Sequence, residues 1–197
     1  MKKLVLASSN PGKLRELSAL LKDSDYQIIP QADFNVPDVA ETGTTFVENA
    51  IIKARHAAQY TDCPAVADDS GIVVDALNGE PGVYSARFAG NNASDDANNA
   101  LLVEKLRSIS EAKRSARYQA VIVYMRNAAD PSPIICEGSW EGRIVLEARG
   151  SGGFGYDPYF YLPDYGCTSA ELSADEKNRI SHRGQALRLL LERLPPA

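Results

Sequence analysis

Ala65-Val66-Ala67-Asp68-Asp69-Ser70-Gly71-Ile72-Val73-Val74 sets two adjacent carboxylates and a hydroxyl between two short apolar, β-favouring runs. Gly71 tolerates backbone angles that other residues avoid, so the stretch reads as strand, tight turn, strand, with the turn gathering polar groups in one place. Two uses of such a turn stay open on these residues alone. Asp, Ser and Gly are ordinary turn formers and suit a surface hairpin; paired carboxylates also suit chemistry.

Upstream, Thr45-Phe46-Val47-Glu48 has capping-box spacing and opens a helix. Phe46, Ala50, Ala54 and Ala57 form its apolar face, mostly small residues that pack closely on a sheet. Glu48, Asn49 and Lys53 fall on neighbouring faces of that helix and are expected to form a salt-bridged, solvated surface. Residues 31–43 before it are a polar loop carrying Asp33, Asp38 and Glu41. Residues 4–7 and 26–29 read as strands.

Between those strands, Ser8-Ser9-Asn10-Pro11-Gly12-Lys13 leads into a helix with Leu14, Leu17 and Leu21 at helical spacing, Asn10 as N-cap and Pro11 as first helical residue. A strand, a polar turn and a helix N-terminus offer backbone N–H groups and positive dipole to a phosphate, and Lys13 adds a full charge. A plain strand-to-helix connection with a solvated lysine is the competing reading.

Downstream, residues 78–88 mix Gly, Pro, aromatics and an arginine in a long loop of the kind that often carries function. Ser94, Asp95 and Asp96 start a helix with Ala97, Leu101, Leu102 and Leu106 expected inward. Residues 120–125 are a β-favouring run. Ile134-Ile135-Cys136 and Ile144-Val145-Leu146 flank Glu137-Gly138-Ser139-Trp140-Glu141-Gly142, which predicts antiparallel strands joined through glycine-bearing turns.

Gly150-Ser151-Gly152-Gly153-Phe154-Gly155 matches G-x-G-x-x-G, but the dinucleotide fingerprint needs a following helix. Tyr156-Asp157-Pro158-Tyr159-Phe160-Tyr161-Leu162-Pro163 predicts a strand or loop instead. The glycine loop suits either close approach to a ligand, with Phe154 as a stacking surface beside Asp157, or a tight structural turn. Ser173-Ala174-Asp175-Glu176 opens a short helix carrying Lys177. Ser181-His182-Arg183 leads into a final amphipathic helix with Ala186, Leu187, Leu190 and Leu194, ended by Pro195-Pro196. His182 and Arg183 place cationic groups where the helix dipole disfavours them, a cost eased by an anion or a carbonyl ligand.

The 197 residues, 44% hydrophobic, suffice for a sizeable core and predict one domain rather than two independent ones. A net charge of -5 argues against a general nucleic-acid or anionic-membrane binder, so any anionic ligand must meet locally concentrated cations. Cys63, Cys136 and Cys167 contain no C-x-x-C spacing and indicate neither a disulfide framework nor a thiolate zinc site, which fits a reducing cytoplasm. The apolar run after Lys2 and Lys3 is too short for a signal peptide, and no segment approaches a membrane-spanning length. With two histidines and no cysteine cluster, a metal, if any, is expected to be a hard cation held by oxygen.

Six motifs occur in order: Ser8-x-Asn10-x-x-Lys13, Phe46-x-Glu48-Asn49-Ala50 with Lys53-Ala54, Ala67-Asp68-Asp69-Ser70-Gly71, Gly82-x-Tyr84-Ser85-Ala86-Arg87, Gly153-Phe154-Gly155-Tyr156-Asp157-Pro158 and Ser181-His182-Arg183-Gly184. Together they resemble the inosine triphosphate pyrophosphatase family, in particular its bacterial dITP/XTP pyrophosphatases. Each motif is weak alone, whereas six in register from the first strand to the last helix are specific. Ser9 departs from the glycine that relatives often carry.

The resemblance implies a two-lobed α/β fold spanning residues 1–197, with a long mixed sheet flanked by helices, an active-site cleft between the lobes, and a homodimer. It implies hydrolysis of dITP, ITP and XTP between the α and β phosphates, yielding a monophosphate and pyrophosphate. By the same resemblance, Glu41 and Asp69 hold magnesium and Asp69 accepts the proton of the attacking water. Ser8, Asn10, Lys13, Lys53 and Ser70 contact the substrate, as do Phe154, Gly155, Tyr156 and Asp157 around the base. Lys177, His182 and Arg183 are the candidate donors to a 6-oxo group. Asp68 is expected to act behind Asp69, because successive strand residues face opposite ways. Two alternatives remain: a related pyrophosphatase acting on pyrimidine or modified nucleotides, and a non-enzymatic nucleotide-binding module that needs no metal.

Overall fold

The structure is a computed structural model and describes residues 2–22 and 25–195. The strands are β1 (Lys2–Ala7), β2 (Tyr26–Pro30), β3 (Ala65–Val74), β4 (Ser115–Met125), β5 (Ile134–Ile144), β6 (Phe160–Leu162) and β7 (Cys167–Thr168). The α-helices are α1 (Pro11–Leu21), α2 (Phe46–Thr61), α3 (Asp95–Leu106), α4 (Ala174–Ile180) and α5 (His182–Arg193). The strands form one mixed sheet in the order β2-β1-β3-β4-β5-β6-β7, parallel at β2-β1-β3 and antiparallel at β5-β6-β7.

The chain divides into two compact units. The first comprises Met1–Asp69, Ala120–Gly138 and Arg183–Ala197; the second comprises Ser70–Gln119 and Ser139–His182. In the first unit, period-two alternation sorts side chains to the two faces of the strands. Leu4, Leu6 and Val66 pack with Leu17 and Leu21 of α1 and with Ala186, Leu187 and Leu190 of α5. Val5, Ala7, Ala65 and Ala67 face the alanines of α2. Both faces are thus covered, as parallel strands require. In the second unit, Ile72, Val74, Tyr118, Trp140, Ile144, Phe160 and Leu162 build a core with Leu102 and Leu106 of α3.

The helix signals match the structure closely. Asn10 caps α1, its side chain accepting from the Lys13 N–H at 3.0 Å. Thr45 and Glu48 form the full capping box on α2, and Ser173 accepts from the Glu176 N–H. Pro196, the expected stop after α5, lies outside the described residues. After the 150–155 glycine loop come a 3-10 turn, Asp157–Tyr159, and β6, with no α-helix, as expected.

Two expected hairpins are instead unbroken strands. Residues 65–74 are all β3 and residues 134–144 are all β5. Turn chemistry is a local preference, and here non-local pairing in a central part of the sheet overrides it. Gly142 belongs in β5 for a packing reason: an added Cβ would come within 2.6 Å of the Tyr161 carbonyl oxygen on neighbouring β6. The inward face of α3 also differs. Ala97 is exposed and the buried positions are Asn98, Asn99, Leu102 and Leu106, because both amides bond loop backbone: Asn98 to Ala86 and Ala89, and Asn99 to Gly155.

Candidate active site

In the first unit, the expected phosphate and metal residues form one ionic cluster. Asp68 and Asp69 follow the last register pair of β1 and β3, Ala7 with Ala67, and continue the strand alternation to opposite faces. Asp68 therefore shares the face of Val66, toward α1 and α5. Lys13 from the first turn of α1 reaches it at 2.6 Å, and Arg183 from the start of α5 forks onto both its oxygens at 3.2 and 3.3 Å. Arg183 also pairs with Glu16 of α1. Asp69 shares the face of Ala67, toward α2. Lys53 meets it at 2.7 Å, and the Asn49 side-chain amide donates to it at 3.4 Å.

Lys53 has a second partner. Its ammonium lies 2.8 Å from Glu41 and 2.7 Å from Asp69, so it bridges the two expected metal ligands as a built-in cation. Both expected ligands are carboxylates, the donor type that suits a hard divalent cation. Asn49 also ties the loop after Glu41 to α2, its Oδ1 accepting from the Gly43 N–H at 2.8 Å. The expectation of a solvated α2 surface thus holds only for Glu48. Asn49 is fully buried and Lys53 is mostly covered.

Burial in this cluster would suppress every charge unless each had a partner. Asp68 shows the outcome: burial pushes its carboxyl up, but Arg183 and Lys13 together hold it far below the usual carboxylate range. Arg183 is lowered by burial and raised more strongly by Asp68 and Glu16, ending above its ordinary value. Burial lowers Lys13, with Asp68 opposing. Asp69 is raised by burial despite Lys53, which leaves it the better proton acceptor of the two aspartates. Ser8 accepts from the Asn10 N–H at 3.2 Å, so the loop before α1 is partly self-satisfied.

The second unit holds the expected base-side residues other than Arg183. Asp157 is buried; its Oδ2 accepts from Lys177 Nζ at 2.6 Å and from the Phe154 N–H at 2.9 Å, while Oδ1 accepts from Ser169 at 2.8 Å. Lys177 lies 4.9 Å from the centroid of the Phe154 ring. Gly153 makes this wrapping possible, since it has φ +75° and a Cβ there would fall 1.9 Å from the Asp157 carboxylate. His182 is buried and stacks on Tyr118, with centroids 4.7 Å apart and planes 7° from parallel, and lies 6.3 Å from Trp140. Tyr156 is also buried and donates its hydroxyl to the Ser85 carbonyl at 2.7 Å. Ser70 sits within β3, half-buried.

Arg183 falls in the first unit with Asp68 and Glu16, while Lys177 and His182 fall in the second. Sequence reading missed Glu16, Tyr118, Trp140 and Ser169. None carries a motif signal, because each serves a partner far away in the chain.

The comparisons agree with one another. The family model described as the Ham1 family matches residues 4–193. The chain is 60% identical over 192 residues to the dITP/XTP pyrophosphatase of Thioalkalivibrio sulfidiphilus, covering 98% of each chain. It is 56% identical to the dITP/XTP pyrophosphatase of Vibrio parahaemolyticus, over 98% of this chain and 97% of the relative. Among solved structures, a HAM1 protein from Coxiella burnetii matches with TM-score 0.91 and 54% identity over 98% of both chains. The Staphylococcus aureus Ham1 protein matches with TM-score 0.86 and 42% identity over 97% of both. Matched along nearly its whole length by model, sequence and structure, the chain belongs to the Ham1 family.

Proposed function

We propose that this protein hydrolyses non-standard purine nucleoside triphosphates, dITP, ITP and XTP, to the monophosphate and pyrophosphate, and so removes deaminated purines from the nucleotide pool. The observation that carries the reading is the Lys53 ammonium held between Glu41 and Asp69, a cation position beside an acid suited to accept a proton. The names of the relatives support the substrate class.

In this reading the first unit handles the phosphates. Three cationic side chains, Lys13, Lys53 and Arg183, face four carboxylates, Glu16, Glu41, Asp68 and Asp69, so the cluster is not by itself positive enough for a triphosphate. Glu41 and Asp69 would hold magnesium, which would supply the missing positive charge beside the phosphate oxygens. Lys13 and Lys53 add charge there, Ser8 and Asn10 supply polar contacts, and Ser70, which falls in the second unit, is a further candidate contact. Asp69 takes the proton of water as the water oxygen bonds to phosphorus and the bridging α–β P–O bond breaks, leaving the monophosphate and pyrophosphate. Asp68 holds Lys13 and Arg183 in place.

The second unit handles the base. Phe154 stacks on the purine, the segment through Gly155, Tyr156 and Asp157 shapes its surroundings, and Lys177 and His182 donate toward a 6-oxo group, with Arg183 the third candidate. Adenine presents a 6-amino donor there and leaves those donors unpaired, which rejects it. The protein works as a homodimer in the cytoplasm, where its three free thiols stay reduced. Among the described residues no helix is long and apolar enough to cross a membrane.

The test is to incubate the purified protein with ITP, XTP, GTP and ATP, with magnesium and with a chelator, and to identify the products. Pyrophosphate and monophosphate from ITP and XTP, abolished by the chelator, are expected. Orthophosphate as the first product overturns the cleavage position, and nucleotide binding without turnover favours a binding module.

A further inference from the structure

The Gly153–Asp157 segment is held from a second side that the motifs do not mark. The Gly155 N–H donates to Asp95 Oδ2 at 2.6 Å, and the Gly155 carbonyl accepts from Asn99 Nδ2 at 2.9 Å. Asp95 and Asn99 are four residues apart on α3 and so stand one above the other on one face. Both peptide groups of a single glycine are therefore fixed by one helix. Gly155 has φ +64° and directly follows Phe154, whose own N–H is fixed by Asp157.

Asn99 is an unexpected residue for its place. It precedes Leu102 and Leu106 on the buried face of α3, where the helical pattern calls for an apolar side chain. Its Oδ1 is buried with no partner among the described residues. A buried amide with one end unsatisfied is costly, and a leucine of similar size would avoid that cost. The bond to Gly155 is what the asparagine supplies in return.

We propose that Asp95 and Asn99 are positioning residues for base recognition: by holding both peptide groups of Gly155 they set the attitude of the Phe154 ring and of the adjoining Lys177. The inference rests on the reading that Phe154 stacks on the purine. Neither residue touches the base; each acts through the glycine.

The experiment measures kcat and KM for ITP and GTP in the wild type, Asn99→Leu, Asp95→Ala, Asp95→Asn, Phe154→Ala and the Asn99→Leu/Phe154→Ala double variant. Asn99→Leu and Asp95→Ala should raise the ITP KM by about five- to tenfold with kcat nearly unchanged, the size of one lost hydrogen bond read through binding. Asp95→Asn keeps an acceptor for the Gly155 N–H and should restore KM to within about twofold of the wild type. Without the Phe154 ring, Asn99→Leu should add nothing further, the non-additivity of two residues acting through one group. Equal penalties with and without the ring, or an unchanged KM in both Asn99→Leu and Asp95→Ala, overturn the proposal. An unchanged KM in Phe154→Ala removes the stacking reading itself and the proposal with it. Asp95 is solvent-exposed, so the Asp95 pair decides the matter even if Asn99→Leu fails to fold.

Discussion

The ionic cluster of the first unit and the ring cluster of the second are made of different materials. Around Asp68 and Asp69, the side chains that matter are charged and each is held by an opposite charge. Around Asp157 there is one buried ion pair, with Lys177, and the rest is the Phe154 amide, the Ser169 hydroxyl and the Phe154 ring beside Lys177, while a separate stack in the same unit sets His182 against Tyr118 and Trp140. In the proposed function the difference corresponds to phosphate and base chemistry. A phosphate group is recognised by charge, which must be stored in balanced form until the ligand arrives. A purine is neutral and flat, so it is recognised by ring faces and by a few aimed donors.

The comparison can be broken at either end. The largest effect should come from Asp69→Asn, which keeps the volume and removes both the proton acceptor and a carboxylate ligand: kcat should fall by roughly 10²- to 10⁴-fold, and the ITP KM should rise as well. A folded Asp69→Asn protein with wild-type turnover would remove the catalytic role from the first unit. Next is Asp68→Asn, which leaves Lys13 and Arg183 without the carboxylate that balances them. Breaking a buried pair costs on the order of 3 kcal/mol, read as a lowered denaturant midpoint. A midpoint equal to that of the wild type would show that Asp68 is not the hub of the cluster. Phe154→Ala should be milder, with KM for ITP raised about tenfold, as for loss of one aromatic stacked on a base, and a nearly unchanged kcat. A large fall in kcat instead would mean that the ring acts on the chemistry and would blur the division.

Much of this was legible in the sequence, for reasons that differ between the two clusters. Asn10, Thr45 and Ser173 announce their helices because capping is local, a side chain bonding an amide a few residues away. The strand alternation that separates Asp68 from Asp69 was legible for the same reason. What the local pattern hid were groups answering to distant partners. The Asp68-Asp69-Ser70-Gly71 and Glu137–Gly142 stretches look like turns until the strands beside them are known. Lys13 and Lys53 look like solvated lysines until Asp68, Asp69 and Glu41 come to meet them. Asn99 breaks the apolar face of α3 in favour of Gly155, 56 positions away. His182 looks like an ordinary first helical residue until Tyr118 and Trp140 stack with it.

The division of labour is tested most directly by the ratio of kcat/KM for ITP to that for ATP in two variants, Lys53→Met and His182→Phe. The phenyl ring preserves the stack on Tyr118 and removes the imidazole N–H groups. Lys53→Met should lower kcat/KM for both nucleotides alike, leaving the ratio within about twofold, because a phosphate contact is blind to the base. His182→Phe should collapse the ratio by roughly tenfold, chiefly by costing ITP a donor to its 6-oxo group. A ratio that collapses in Lys53→Met and survives in His182→Phe would contradict the assignment of phosphates to the first unit and of the base to the second.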